Sequence, residues 1–284
     1  ASVSDANSAG DPAFLADPEP HNMFPPAIEE ISFSAGEDRL SGFIYLANGK
    51  GPHPTVIMLH GLPGNEKNLD IAQVLRRDGF NVMFFHYRGA WGSEGTYCLT
   101  QLAEDAAAAL NYLRSNTTRY RVDSQKLSLL GHSMGGFTAL AAGRNDPGLR
   151  CVGALSPANL GLMAEGIRAA EPSALYFLEY ADSLFMLRNF DGEHMKKDLL
   201  SVSPLSLDTR YFGAGLRGKS VFMAVGENDT VTPPESMFNP TVIAYQRDPG
   251  IKLRHYTIPG DHSFSWSRIQ LTELILDWMR SDCR

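Results

Sequence analysis

The sequence predicts an α/β fold: a mostly parallel sheet with helices on both faces. Three observations predict it. From Thr55 onwards, apolar runs of four to eight residues alternate with segments of helical spacing. Runs such as Val82-Met83-Phe84-Phe85 lack the polar alternation of a half-exposed strand, which suits strands covered on both faces. The composition, 43% hydrophobic and 20% charged over 284 residues, is that of a globular chain rather than a disordered or collagen-like one.

The elements follow in order. Ile28–Ala35 and Arg39–Ala47 read as a hairpin around Gly36-Glu37-Asp38. Thr55–His60 is an apolar strand between Pro54 and Gly61, and Asn65–Asp78 a helix through Leu69, Ala72, Val74 and Leu75. Phe80–Tyr87 is a strand and Leu99–Ser115 an alanine-rich helix. Lys126–Leu130, Met134–Arg144 and Cys151–Leu155 continue as strand, helix, strand. Ser220–Val225, Pro234–Arg247, Ile251–Ile258 and Ile269–Arg280 close the pattern as strand, helix, strand, helix. Residues 157–215 break the rhythm. They are too long for an αβ connection and too rich in Leu, Met, Phe and Tyr for a disordered insert, so a helical unit is expected there.

Charge and composition exclude some partners. Twenty-five basic against 32 acidic residues give a net charge of −7, which disfavours nucleic acid. No apolar run approaches the roughly 18–20 residues that span a bilayer. The three cysteines, Cys98, Cys151 and Cys283, match no metal motif and read as core or incidental thiols. The chain starts at Ala1, and its first 27 residues hold five of the 17 prolines. Residues 1–27 read as a flexible arm. Cleavage of a signal peptide ahead of Ala1 would place the protein in the periplasm or outside the cell; a trimmed cytoplasmic chain would look the same.

Chemistry in an open parallel sheet collects at the carboxyl ends of the strands. The fifth strand runs into Gly131-His132-Ser133-Met134-Gly135-Gly136, a G-x-S-x-G turn between strand and helix. Tiny neighbours let a serine occupy such a sharp turn and stand exposed at the sheet edge. A bare G-x-S-x-G is a weak signal; the apolar strand before it and the small-residue helix after it strengthen it. The hydroxyl needs a base and the base an orienting acid, in chain order Ser, acid, His. Asp229 in Gly226-Glu227-Asn228-Asp229 is the acid expected, and His262 in Gly260-Asp261-His262 the base. Glu227 and Asp261 are rivals to Asp229, the first early on its loop, the second adjacent to the histidine and pointing away from it. Met134 N–H and Leu62 N–H, the latter in His60-Gly61-Leu62-Pro63-Gly64, are the expected oxyanion donors. His60 and His132 are expected to bond locally and shape their loops.

Together these residues resemble the α/β-hydrolase fold superfamily across nearly all of residues 30–284. The turn His86-Tyr87-Arg88-Gly89-Ala90-Trp91-Gly92-Ser93-Glu94-Gly95 is similar to one in its dienelactone-hydrolase-like and prolyl-oligopeptidase-like branch. The resemblance implies an eight-stranded sheet with a catalytic body at 28–156 and 216–284 and a cap at 157–215. It implies a serine esterase acting on a small acyl ester, with no metal or organic cofactor. An aminopeptidase or amidase acting on a peptide is the alternative, in which Glu165, Glu171, Glu179 and Asp182 could receive an amine. A non-catalytic binding module is the alternative of a different class, and it would ordinarily lack a member of the Ser-Asp-His set. Substrate identity and oligomeric state are left open.

Overall fold

A computed structural model describes residues 10–284. The chain runs α1 (Pro12–Leu15), β1 (Ala27–Ala35), β2 (Asp38–Leu46), β3 (His53–Leu59), α2 (Leu69–Arg77), β4 (Asn81–Phe85), α3 (Leu102–Ser115), α4 (Thr117–Tyr120), β5 (Val122–His132), α5 (Met134–Asn145) and β6 (Cys151–Leu155). Between β6 and β7 lie α6 (Leu160–Arg168), α7 (Pro172–Asp182), α8 (Gly192–Leu200), α9 (Pro204–Leu207) and α10 (Gly213–Leu216). Then come β7 (Ser220–Gly226), α11 (Asn239–Gln246), β8 (Lys252–Ile258) and α12 (Arg268–Asp282).

The eight strands form one sheet in the order β1-β2-β4-β3-β5-β6-β7-β8. The first two pairings are antiparallel and the rest parallel. Successive residues of β3 feed opposite cores. Ile57 and Leu59 pack on the face that α3 and α5 cover, Val56 and Met58 on the face of α2 and α12. That double burial is why the central strands read as unbroken apolar runs. The parallel register brings the ends of β3, β5, β6, β7 and β8 to one edge, pairing Leu59 with Gly131, His132 with Leu155, Leu155 with Ala224 and Gly226 with Ile258.

Four departures from the sequence reading bear on how the chain is held together. The helix expected from Asn65 begins at Leu69, because Asn68 is left-handed (φ 54°) and its N–H turns back to Glu66 Oε1. The helix expected over 234–247 opens with a π turn at Pro234–Phe238, and Pro240 lacks the N–H an α-helical bond there would need. The arm read over residues 1–27 is held to the body from Asp11; residues 1–9 lie outside the described residues. Pro12 stands in the first turn of α1, Asp11 caps Ala13 N–H, and Arg280 of α12 grips the same carboxylate at 2.6 Å. The fourth is covalent: Cys151 and Cys283 are not incidental thiols but a disulfide, with Cα atoms 5.8 Å apart, while Cys98 is free.

The disulfide ties the end of α12 to the start of β6. Asp282 beside it accepts from Ser220 of β7 and from Lys252 and Arg254 of β8. The two cysteines are separated by 132 positions, so the bond restricts a long loop of the unfolded chain. Reduction, or the Cys151→Ala/Cys283→Ala pair, should lower unfolding free energy by about 2–4 kcal/mol. A urea midpoint that reductant leaves in place would show that the bond does not form.

Candidate active site

The G-x-S-x-G turn is built by exclusion. Ser133 sits at φ 57°, ψ −118°, a conformation L-residues rarely adopt. A Cβ on Gly131 would overlap the Gly135 carbonyl, and one on Gly135 would overlap the Leu59 carbonyl of β3. Both glycines are therefore required for the strand-to-helix turn to pack against its neighbour. Ser133 N–H donates to Leu155 O at 2.8 Å, fastening the turn to the end of β6.

The loop after β3 runs alongside. A Cβ on Gly61 would lie 3.0 Å from Ser133 Cβ and 3.6 Å from its Oγ. Leu62 and Met134 line one cavity with Ser133 and His262. Neither Leu62 N–H nor Met134 N–H donates to a protein acceptor among the described residues. Met134 is the first residue of α5, whose leading N–H groups have no intrahelical partner. Trp91, in the turn after β4, donates its indole N–H to Pro63 O at 2.7 Å and so props this loop from outside.

Asp229 and His262 meet across the ends of β7 and β8. His262 Nδ1 lies 2.8 Å from Asp229 Oδ2. Burial pushes the Asp229 carboxyl up, but the hydrogen bond and charge of His262, with the Thr232 N–H and hydroxyl, outweigh it and hold it below the usual carboxylate range. An ionised carboxylate only accepts, so Nδ1 carries the proton and Nε2 is the free basic nitrogen. Asp229 Oδ1 is filled by the N–H groups of Val231 and Thr232, both at 2.9 Å. Of the rivals, Asp261 is spent on its own turn, accepting from Ser263 N–H, Ser265 N–H and Ser265 Oγ, and Glu227 is exposed. No hydrogen bond joins Ser133 Oγ to His262 among the described residues; both line the same cavity.

His132, expected to act locally, reaches 130 positions along the chain. Its Nε2–H donates to the His262 carbonyl at 2.7 Å, with the two rings 4.8 Å apart. Burial, then the His262 charge, drives His132 down to about 3, which keeps it neutral. His60 does bond locally, through Nδ1 to Gly61 O, and burial likewise takes it to about 3. Sequence spacing offered no signal for the His132 and Trp91 contacts or for those of Thr232 with Ser156 and His262, because each depends on which strand ends become neighbours.

The cavity has a volume of about 530 Å³. Its upper wall comes from the segment between β6 and β7: Met163, Ser173, Tyr176, Phe177 and Tyr180. A second lobe of about 350 Å³ shares Met163, Phe177 and Met237 with it and reaches Glu165 and Glu171. The inserted segment is fastened to the turn after β4: Arg188 N–H donates to Gly89 O, Trp91 N–H to Met186 O and Tyr97 N–H to Arg188 O. No cluster of three metal-ligating side chains occurs among the described residues, and no described helix is long and apolar enough to cross a membrane.

Comparison with solved structures places this architecture. The Pyrococcus furiosus esterase Pf2001 superposes with a TM-score of 0.66 at 18% identity, covering 92% of this chain and 94% of that one. A family model described as the alpha/beta hydrolase fold matches residues 54–186. The chain has the α/β-hydrolase fold. Another structure of this fold differs more in size. The acylaminoacyl peptidase of Pyrococcus horikoshii has a TM-score of 0.69 at 12% identity, covering 91% of this chain but 42% of its own. In sequence, the chain is 30% identical over 191 residues to the uncharacterised protein YfhR of Escherichia coli K12. That match takes in 64% of this chain and 61% of YfhR.

Proposed function

We propose that the protein is a serine hydrolase that cleaves carboxylic esters through an acyl-enzyme on Ser133. One observation carries the reading. A strained, sheet-edge serine shares a cavity with a histidine whose Nδ1–H is held by a buried carboxylate, and two unspent backbone N–H groups line the same space. Fold alone would not specify this chemistry.

His262 Nε2 takes the Ser133 proton as Oγ attacks the ester carbonyl. Leu62 and Met134 N–H groups receive the oxyanion. Asp229 holds the imidazole in the required tautomer and stabilises the imidazolium. His262 then protonates the departing alkoxide, and a water repeats the sequence to release the acid. Residues 157–215 serve as a cap, and their Met163, Phe177 and Tyr180 give the substrate an apolar wall.

A second reading, hydrolysis of an aminoacyl amide, draws on the adjoining lobe, where Glu165 and Glu171 could accept a free amine. A panel of p-nitrophenyl esters of graded acyl length beside aminoacyl anilides separates the two. For the esterase, kcat/KM should rise about fourfold per methylene until the cavity is filled, each buried methylene contributing about 0.8 kcal/mol. A fluorophosphonate should label Ser133 and no other serine. Folded protein that stays unlabelled would remove the serine-hydrolase reading altogether; turnover confined to the anilides would replace ester with amide.

A further inference from the structure

We infer that Thr232 is a positioning residue of this site, its hydroxyl locking the second oxygen of Asp229 onto His262. The inference rests on the hydrolase reading for its kinetic consequence, though not for its geometry. Thr232 lies three residues beyond Asp229 on the loop after β7 and is 3% exposed. Its Oγ1 is 2.8 Å from Asp229 Oδ2, 3.1 Å from Ser156 O and 3.3 Å from His262 Nδ1.

A hydroxyl has one proton to give. Ser156 O and the Asp229 carboxylate can only accept, so the proton goes to one of them. Given to Ser156 O, it would leave the hydroxyl lone pairs facing an anionic oxygen at 2.8 Å, a repulsive contact. Given to Asp229, it completes the carboxylate. Oδ1 then holds the two backbone N–H groups and Oδ2 holds His262 Nδ1–H and Thr232 Oγ1–H. Four donors fix the carboxylate plane, and with it the line along which the imidazole is pulled. The hydroxyl lone pairs remain near Nδ1–H, so the developing imidazolium finds Thr232 as a second, weaker acceptor beside Asp229. Branching at Cβ restricts χ1 and holds the hydroxyl in this place.

The backbone N–H contacts survive substitution, so the hydroxyl can be tested separately. Thr232→Val should lower kcat for the best p-nitrophenyl ester about 10- to 100-fold with KM nearly unchanged, as for loss of a hydrogen bond to a charged group. Thr232→Ser, which restores the hydroxyl, should recover most of that loss. The low-field NMR resonance of His262 Nδ1–H should move in the Val variant and hold its position in the Ser variant. Wild-type kcat in Thr232→Val, or equal damage in the Val and Ser variants, would overturn the assignment. Should the Val variant not fold, Thr232→Ala takes its place in the same comparison. The resonance is read on folded protein whether or not it hydrolyses esters. An inactive wild type whose resonance still follows the hydroxyl would fail the hydrolase reading and support the positioning role.

Discussion

Asp229→Asn should lower kcat about 10⁴-fold while leaving the protein folded, the scale seen when a triad carboxylate elsewhere becomes an amide. The orientation of the new amide is set in advance. Val231 and Thr232 N–H groups both donate to Oδ1, so the amide oxygen must stay there. The amide nitrogen then replaces Oδ2, 2.8 Å from His262 Nδ1 and 2.8 Å from Thr232 Oγ1. It donates to both. Nδ1 becomes an acceptor, the ring proton moves to Nε2, and the nitrogen facing the cavity can no longer take a proton from Ser133. Because every polar atom keeps a partner, the loss should appear in kcat and not in the urea midpoint. Activity within tenfold of the wild type would remove Asp229 from the mechanism.

Acid should unfold this protein through its buried imidazoles. His60 and His132 are held to about 3 by burial, and His86, driven by burial and then by Lys67, to about 4, against an ordinary 6.5. Below pH 6.5 the unfolded chain binds protons that the folded one refuses, so stability falls as pH falls from about 6.5 to about 4. Each such histidine removes about 1.4 kcal/mol per pH unit. Asp105 opposes them. Burial, only partly offset by Arg88, raises it to about 6, so between about pH 6 and 4 the folded state gains a proton that the unfolded carboxylate lacks. The balance is a loss of roughly 1.5–3 kcal/mol per pH unit, enough over two units to consume much of a typical domain's stability. Below that window the lowered carboxylates Asp146, Asp208, Asp229 and Asp282 lose their ion pairs and hydrogen bonds, which steepens the fall. Urea midpoints measured between pH 4.5 and 7 test this; a flat profile would contradict it.

Much of the fold is legible in local patterning. The hairpin, the alternation of strands and helices and the short motifs that hold Ser133, Asp229 and His262 each rest on residues close together in the chain. Periodicity and glycine placement act over that range. The same range explains the misreadings. Asn68 delays the start of α2 by a left-handed turn that its Glu66 partner stabilises, a choice invisible to apolar spacing. α1 is ordered by Arg280, which lies 269 positions from Asp11. Of the apolar residues between β6 and β7, Leu160 and Leu187 are spent on packing, Met163 and Phe177 line the cavity, and Phe185 is 92% exposed. Composition gave them one common character; only their helix faces separate them.

By itself, the sequence determined the strand-to-helix turn at Ser133, because the clash that Gly131 avoids lies within the turn; the clash that Gly135 avoids is with the Leu59 carbonyl of β3 and depends on strand pairing. The sequence also placed Asp229 and His262 after strands, as periodicity locates strand ends. Tertiary structure decided which of those ends are neighbours. The parallel order β5-β6-β7-β8 brings Asp229 to His262, His132 to the His262 carbonyl and Cys151 to Cys283. Contacts of this kind span 33, 130 and 132 positions, and the long-range burial of apolar strands, not any local preference, fixes them.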